Sequence, residues 1–120
     1  KGALWAIKEF NATCILVGDR EEIERIAAEN DFDIRRMDIV HTDSVITMED
    51  DPISVVIAKK DSSMTVALNM LRDGLGDAVV SAGNTGALLS GATLIVKRIR
   101  KLPFVCDRIL YAFFYSIVQF

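Results

Sequence analysis

The chain has 120 residues, of which 51% are hydrophobic and 26% charged, and its formal net charge is −3. This length and composition predict one ordinary globular domain with a real core and exclude an intrinsically disordered chain. The acidic balance argues against a nucleic-acid-binding protein, because such proteins normally carry a basic stripe.

Two helices and two strands are predicted in the first part of the chain. One helical face there consists of Ala3, Leu4, Ile7 and Phe10. A strand over residues 14–17 ends at Gly18, and the D-R-E-E run at residues 19–22 has the form of a capping box that begins a second helix. The inner stripe of that helix consists of Ile23, Ile26, Ala27 and Asn30. A second strand is predicted over residues 34–40 and a loop over residues 41–51.

The middle of the chain is predicted to hold a capped amphipathic helix. Pro52 suits a first helical position and favours a short helix over residues 52–59, although the β-branched residues there also permit a strand. Asp61 or Ser62 is expected to cap a following helix of roughly three turns that stops at Gly74. The apolar face of this helix consists of Met64, Ala67, Leu68 and Leu71.

The most informative segment is S-A-G-N-T-G-A at residues 81–87. It joins an apolar run at residues 77–81, predicted as a buried strand, to a helix predicted over residues 87–100 with Leu88, Ala92, Ile95 and Ile99 on one face. Gly83 and Gly86 tolerate positive φ, and a helix N-terminus presents unpaired amides to an anion. The alternative is that these residues only end the strand and that Thr85 caps the helix.

Strands that alternate with helices predict an α/β domain with a largely parallel sheet. Function is then expected at the carboxyl ends of the strands, in the loop after Ser81 and in residues 59–63. Lys59, Lys60, Ser62 and Ser63 there offer charge and hydroxyl groups to a phosphate; alternatively, the lysines are solvated and Ser62 is a cap.

Cysteine and histidine give little sign of special chemistry. Cys14 and Cys106 lack metal or disulfide spacing, so a reducing compartment is expected, and Cys14 is expected to be buried as a small hydrophobic side chain rather than to carry an acyl group. His41 is expected on the surface or in a loop, and no metal is expected. No signal peptide or membrane span is predicted, since the most apolar run covers only residues 109–120.

Four motifs in register resemble the bacterial phosphate acyltransferase (PlsX) family. They are V-G-D after the first strand, H-T at residues 41–42, K-K-D-S-S-M at residues 59–64 and D-A-V-V-S-A-G-N-T-G-A-L at residues 77–88. The resemblance extends over about residues 1–100. It implies a three-layer α/β/α fold with a largely parallel sheet, like that of isocitrate and isopropylmalate dehydrogenases.

The resemblance implies an enzyme that transfers an acyl chain from acyl carrier protein to inorganic phosphate and forms acyl phosphate for phospholipid synthesis. It further implies a cytoplasmic homodimer with at most peripheral membrane association, and no nucleotide, metal or other cofactor. Matching motif to motif assigns catalysis to Asn84 and Lys60. The phosphate contacts are assigned to Ser81, Gly83, Asn84, Thr85, Gly86, Ser62 and Ser63.

The chain departs from the family pattern at both ends. Residues 1–100 are interpreted as a partial family domain that lacks the family's opening strand with its D-A-M-G-G-D turn. Residues 101–120 are interpreted as a divergent aromatic tail, produced by a shifted reading frame, truncation or a junction, or as an authentic element that covers an exposed edge. On this interpretation the polypeptide alone is expected to be inactive.

Two other functions stay open from the sequence. One is a non-catalytic module that binds acyl carrier protein or a partner subunit, in which the basic residues Lys97, Arg98, Arg100 and Lys101 form the contact. The other is a phosphotransacetylase-like enzyme that uses coenzyme A thioesters. Substrate competition would separate the second from a carrier-dependent reaction.

Overall fold

The computed structural model describes residues 1–51 and 58–97, which form a mixed helix and strand structure. Its elements are helix α1 (Gly2–Phe10), strand β1 (Ile15–Gly18), helix α2 (Arg20–Glu29), strand β2 (Asp38–His41), helix α3 (Ser63–Arg72) and helix α4 (Thr85–Gly91). Helix α4 continues directly into a π-helical segment, Ala92–Val96. The α/β class is therefore confirmed.

The two strands form a parallel pair connected by α2. Ile15 lies opposite Asp38, and Gly18 lies opposite His41. The prediction for β1 is confirmed, whereas β2 begins later than the predicted residue 34. The reason is a turn in which the Met37 amide donates to the Ile34 carbonyl, so the chain becomes extended only after Met37.

Helix α2 begins at the predicted cap but packs less deeply than predicted. The Asp19 carboxylate accepts from the amides of Glu21 and Glu22 at 2.9 and 3.4 Å. The Asp19 half of the predicted capping box is therefore present. The Glu22 carboxylate pairs with Arg25, which lies three residues further along the helix. Ala27 is buried, but Ile26 is 42% exposed, and the inner stripe is narrower than the sequence suggested.

Helix α3 agrees with its prediction at both ends. Ser62 is the N-cap, and its hydroxyl oxygen accepts from the Thr65 amide. At the other end the amide of Leu75 bonds the carbonyl of Met70, and that of Gly74 bonds the carbonyl of Leu71. This is a Schellman ending, in which Gly74 has φ of 76°.

The principal core cluster lies between α3, α4 and the loop after β2. Its buried members are Ile46, Met64, Leu68, Ala87 and Leu88. Val79, Ala92, Ile95 and Val96 pack against them. The predicted inner faces of α3 and of the last helix are therefore confirmed where they are described. The cluster joins the two chain segments that carry the K-K-D-S-S-M and S-A-G-N-T-G-A motifs.

The predicted strand over residues 77–81 is wrong. The described structure has no strand there, and the Val80 side chain is 92% exposed. The β-branched composition does not suffice, because an extended segment becomes a strand only when a neighbouring strand supplies hydrogen-bond partners. Of the described elements, β1 and β2 pair only with each other.

Several predictions fall outside the described residues. Residues 52–57 of the predicted short helix or strand are not described. The whole aromatic tail also lies outside the described residues. The helix predicted to reach Arg100 leaves the π-helical segment at Lys97, where φ is 70°, and residues 98–100 are not described. Across residues 1–51 and 58–97, no helix combines the length and the apolar composition needed to cross a membrane.

Candidate functional site

The first turn of α4 is the part of the described chain in which the sequence predicted an anion site. Asn84 is the N-cap, and its Oδ1 accepts from the Ala87 amide at 3.0 Å. The Leu88 amide bonds the Asn84 carbonyl. The amides of Thr85 and Gly86 have no acceptor among the described residues. These two N–H groups stand at the positive end of a helix that runs on to Val96.

Asn84, rather than Thr85, caps the helix, and its side chain also reaches across the fold. Asn84 is 5% exposed, and its Nδ2 donates to the carbonyls of Thr47 and Asp50 at 3.0 and 3.4 Å. The amide side chain thus has a protein partner for its oxygen and two for its nitrogen. Asn84 therefore connects the N-terminus of α4 to the loop over residues 44–51.

The Asp50 carboxylate organises the loop over residues 44–51. Its Oδ2 accepts from the Thr47 amide at 2.7 Å and from the Lys59 ammonium at 2.8 Å. Lys59 Nζ also donates to the Val45 carbonyl at 3.2 Å. The hydrogen bond from Lys59, with that from the Thr47 amide next in importance, lowers the pKa of Asp50. One carboxylate therefore links the loop to the K-K-D-S-S-M motif.

Removal of the Lys59 charge by Lys59→Met is expected to raise the pKa of Asp50 toward its ordinary value of 3.8. Since the pKa of Asp50 is lowered in the folded chain, its contribution to stability is complete above the ordinary value and is lost as the pH falls through the lowered folded value. Carboxyl-carbon NMR during an acid titration measures this pKa. Lys60→Met is the matched control, because the Lys60 side chain is exposed and does not contribute to this shift. An unchanged pKa in Lys59→Met would contradict the assignment.

The start of α3 places its two serines differently. Ser62 is completely buried, and its hydroxyl donates to Thr65 Oγ1 at 2.9 Å, so the cap interpretation describes it. The Ser63 amide donates to the Ser44 carbonyl at 3.0 Å, which joins the start of α3 to the loop after β2. Lys60 has no hydrogen bond or ion pair within the described part of the chain.

The two predicted loops do approach each other along a groove of about 780 Å³. Ser63, Ser81 and Gly83 line it, together with Ile15 and Val17 of β1. The Met64 Cε atom lies 3.6 Å from the position that a Cβ on Gly83 would occupy. The structure thus brings Ser63, Ser81 and Gly83 around one space, whereas Ser62 is closed off beside it.

The positive φ that glycine would allow at residues 83 and 86 is not adopted at either residue. Among the described glycines a positive φ occurs at Gly74, and Gly86 lies within α4. Gly83 makes its turn through a hydrogen bond from its amide to Ser81 Oγ at 3.2 Å. A Cβ at Gly83 would meet its neighbours at ordinary contact distance, so neither φ nor space requires glycine there.

His41 and Cys14 have structural partners. His41 ends β2, and its Nδ1 accepts from the Arg20 amide at 3.1 Å while Nε2 faces the Asp43 carboxylate at 2.8 Å. Cys14 is half-buried, which is less than expected for a small hydrophobic side chain, and its thiol donates to the Ala3 carbonyl. No group of three or more His, Cys, Asp or Glu suited to a metal occurs in residues 1–51 and 58–97.

Sequence reasoning missed the part played by Asp50 and Thr47. Asp50 lies in the run E-D-D, and nothing in that run separates it from Glu49 or Asp51. Its importance comes from contacts with residues distant along the chain, and a single sequence contains no signal for them.

The motifs at residues 59–64 and 81–87 thus share one groove and one hydrogen-bond network. A family model described as fatty acid synthesis protein matches residues 1–104. The chain belongs to the fatty acid synthesis protein family. This confirms the resemblance found in the motifs.

Curated relatives of this chain are named phosphate acyltransferase. The one from Clostridioides difficile strain 630 is 44% identical over 111 residues, which are 91% of this chain and 33% of that protein. Those from Dictyoglomus turgidum and Alkaliphilus oremlandii are 46% and 39% identical over 100 residues, each 83% of this chain and 30% of the relative. The chain therefore spans about a third of the length of these relatives.

Proposed function

We propose that this chain is the phosphate-binding part of a phosphate acyltransferase that converts acyl-[acyl carrier protein] and inorganic phosphate to acyl phosphate for phospholipid synthesis. The observation that carries the proposal is the pair of open amides at Thr85 and Gly86. They lie at the positive end of a helix, where a phosphate is stabilised by backbone donors and the dipole. Membership of the family and the relatives' name support the same chemistry.

In the proposed reaction a phosphate oxygen attacks the thioester carbonyl carbon. The new C–O bond forms, the C–S bond breaks, and the carrier thiolate leaves and takes up the proton that the hydrogen phosphate loses. The Thr85 and Gly86 amides hold the phosphate, which lowers the barrier mainly by positioning the nucleophile. Ser81 and Ser63 line the adjoining groove, where their hydroxyls are within the same space.

We propose a distinct role for each of the two catalytic candidates. Asn84 acts on the phosphate by holding the amides at Thr85 and Gly86, since its own amide is bonded within the protein. Lys60, whose side chain is exposed, supplies positive charge that attracts the anionic substrates at long range. Gly83 and Ser62 shape the loop and the start of α3.

We also propose that the chain is part of a larger enzyme. There it forms part of a three-layer α/β/α fold related to isocitrate and isopropylmalate dehydrogenases, in a cytoplasmic homodimer that meets the membrane peripherally. Acyl carrier protein is the proposed acyl donor. No cofactor is proposed for the reaction.

Two measurements test this function. Titration of the chain with inorganic phosphate, followed by amide NMR, is expected to shift the Thr85 and Gly86 signals, whereas sodium chloride at matched ionic strength is not. Unmoved signals at both amides would remove the proposed site. The second measurement, made on the larger enzyme because this chain alone is expected to be inactive, is acyl phosphate formation from phosphate and either acyl-[acyl carrier protein] or acyl coenzyme A. Preference for the coenzyme A thioester would instead support the phosphotransacetylase-like alternative.

A further inference from the structure

The hydrogen bonds around Asp50 form a continuous connection from Lys59 to the first turn of α4. The Lys59 ammonium and the Thr47 amide donate to the Asp50 carboxylate. The carbonyls of Thr47 and Asp50 accept from Asn84 Nδ2, and Asn84 Oδ1 accepts from the Ala87 amide. We propose that Asp50 is a positioning residue that orients the phosphate-binding amides through Asn84. This inference rests on the proposed function.

The Asp50 carboxylate closes the turn over residues 47–50. Asp50 Oδ2 accepts from both the amide and the hydroxyl of Thr47, at 2.7 and 3.2 Å, and so closes this turn. Closing the turn brings the carbonyls of Thr47 and Asp50 to the same donor, the Asn84 amide nitrogen. The carboxylate thus closes the turn that carries both carbonyls bonded by Asn84.

The bonds to this turn also orient the Asn84 side-chain amide. A side-chain amide that donates at one end and accepts at the other has one suitable rotation about its last torsion. With Thr47 and Asp50 in place, Oδ1 must face Ala87, and the cap is held. The amides of Thr85 and Gly86 precede Ala87 in the same turn, so their direction depends on that cap.

Positioning by Asp50 and simple electrostatics predict different effects on phosphate binding when Asp50 is replaced. Asp50 carries negative charge, so Asp50→Ala leaves Lys59 unneutralised, makes the surroundings more positive and also removes the acceptor that closes the turn. Coulomb attraction alone would then strengthen phosphate binding. A positioning role predicts the opposite, because the loosened turn no longer orients Asn84. The two explanations give effects of opposite sign for one substitution.

The test is the affinity of the 120-residue chain for inorganic phosphate, measured by amide NMR titration in the wild type and in Asp50→Ala. We expect binding about fivefold weaker or more in the variant, and hydrogen exchange of the Ala87 amide about fivefold faster or more, as for a modest lost interaction. Asp73→Ala is the matched control, because Asp73 forms an exposed pair with Arg72. It is expected to change neither quantity.

A double-mutant cycle shows whether Asp50 acts through Asn84. In an Asn84→Ala background, Asp50→Ala is expected to weaken phosphate binding no further. Phosphate affinity that is unchanged or tighter in Asp50→Ala overturns the inference, as does unchanged Ala87 exchange. A wild-type chain that does not bind phosphate overturns the proposed function instead, and the Ala87 exchange rate then still decides whether Asp50 holds the cap.

Discussion

Replacement of Leu68 by alanine is expected to lower the free energy of unfolding by about 2 to 5 kcal/mol. Leu68 is 2% exposed and belongs to the cluster that joins α3 to α4, with Met64, Ala87 and Leu88. The substitution removes buried methyl groups and leaves a cavity that the surrounding side chains fill only in part. Chemical denaturation followed by circular dichroism measures the change.

Leu94→Ala is the matched control for this substitution. Leu94 is 50% exposed, so the same loss of side chain there is expected to cost much less. Equal destabilisation by the two substitutions would contradict the assignment of the core. Since α3 and α4 carry the two candidate motifs, Leu68→Ala should also broaden the amide signals of residues 81–87.

Asn84→Ala is expected to weaken phosphate binding by about tenfold or more, in line with the loss of a preorganised donor set. The substitution removes the cap on the Ala87 amide and both bonds to the loop over residues 44–51. Loss of the cap alone is expected to cost about 1 kcal/mol of stability. Phosphate titration and denaturation on the same sample measure the two effects.

Asn84→Ser separates the cap from the connection to the loop. Serine is a good N-cap, so the cap on the helix is expected to remain, and any loss of stability then comes from the bonds to the loop. A serine hydroxyl is shorter than the amide and does not replace the bonds from Nδ2 to the carbonyls of Thr47 and Asp50. Phosphate binding by Asn84→Ser equal to that of the wild type would show that the loop connection is unimportant, whereas weak binding supports it.

Most helices and the first strand could be predicted because their signals are local. The Asp19 cap, the Ser62 cap and Gly74 each act within a few residues of their own positions. The inner face of α3 follows from spacing alone, and Met64 and Leu68 are buried as that spacing requires.

The errors arose where structure depends on distant partners. Residues 77–81 have strand composition, yet pairing must come from another segment, and none of the described strands supplies it. The approach of the two candidate loops could be predicted, because both were expected at the same edge of a sheet. The actual connection runs through Asn84 and Thr47, which are 37 residues apart, and no local pattern encodes it.

The left-handed backbone conformation of Gly74 decides which enantiomer of alanine would fit there. With φ of 76° and no atom within 4 Å of a Cβ built there, the site has ample room for a methyl group. An L-alanine would still be disfavoured by roughly 1 to 2 kcal/mol, purely through its own backbone. The mirror-image residue, D-alanine, suits this conformation, and chemical synthesis with it would restrict the unfolded ensemble while preserving the native path from α3 toward the groove.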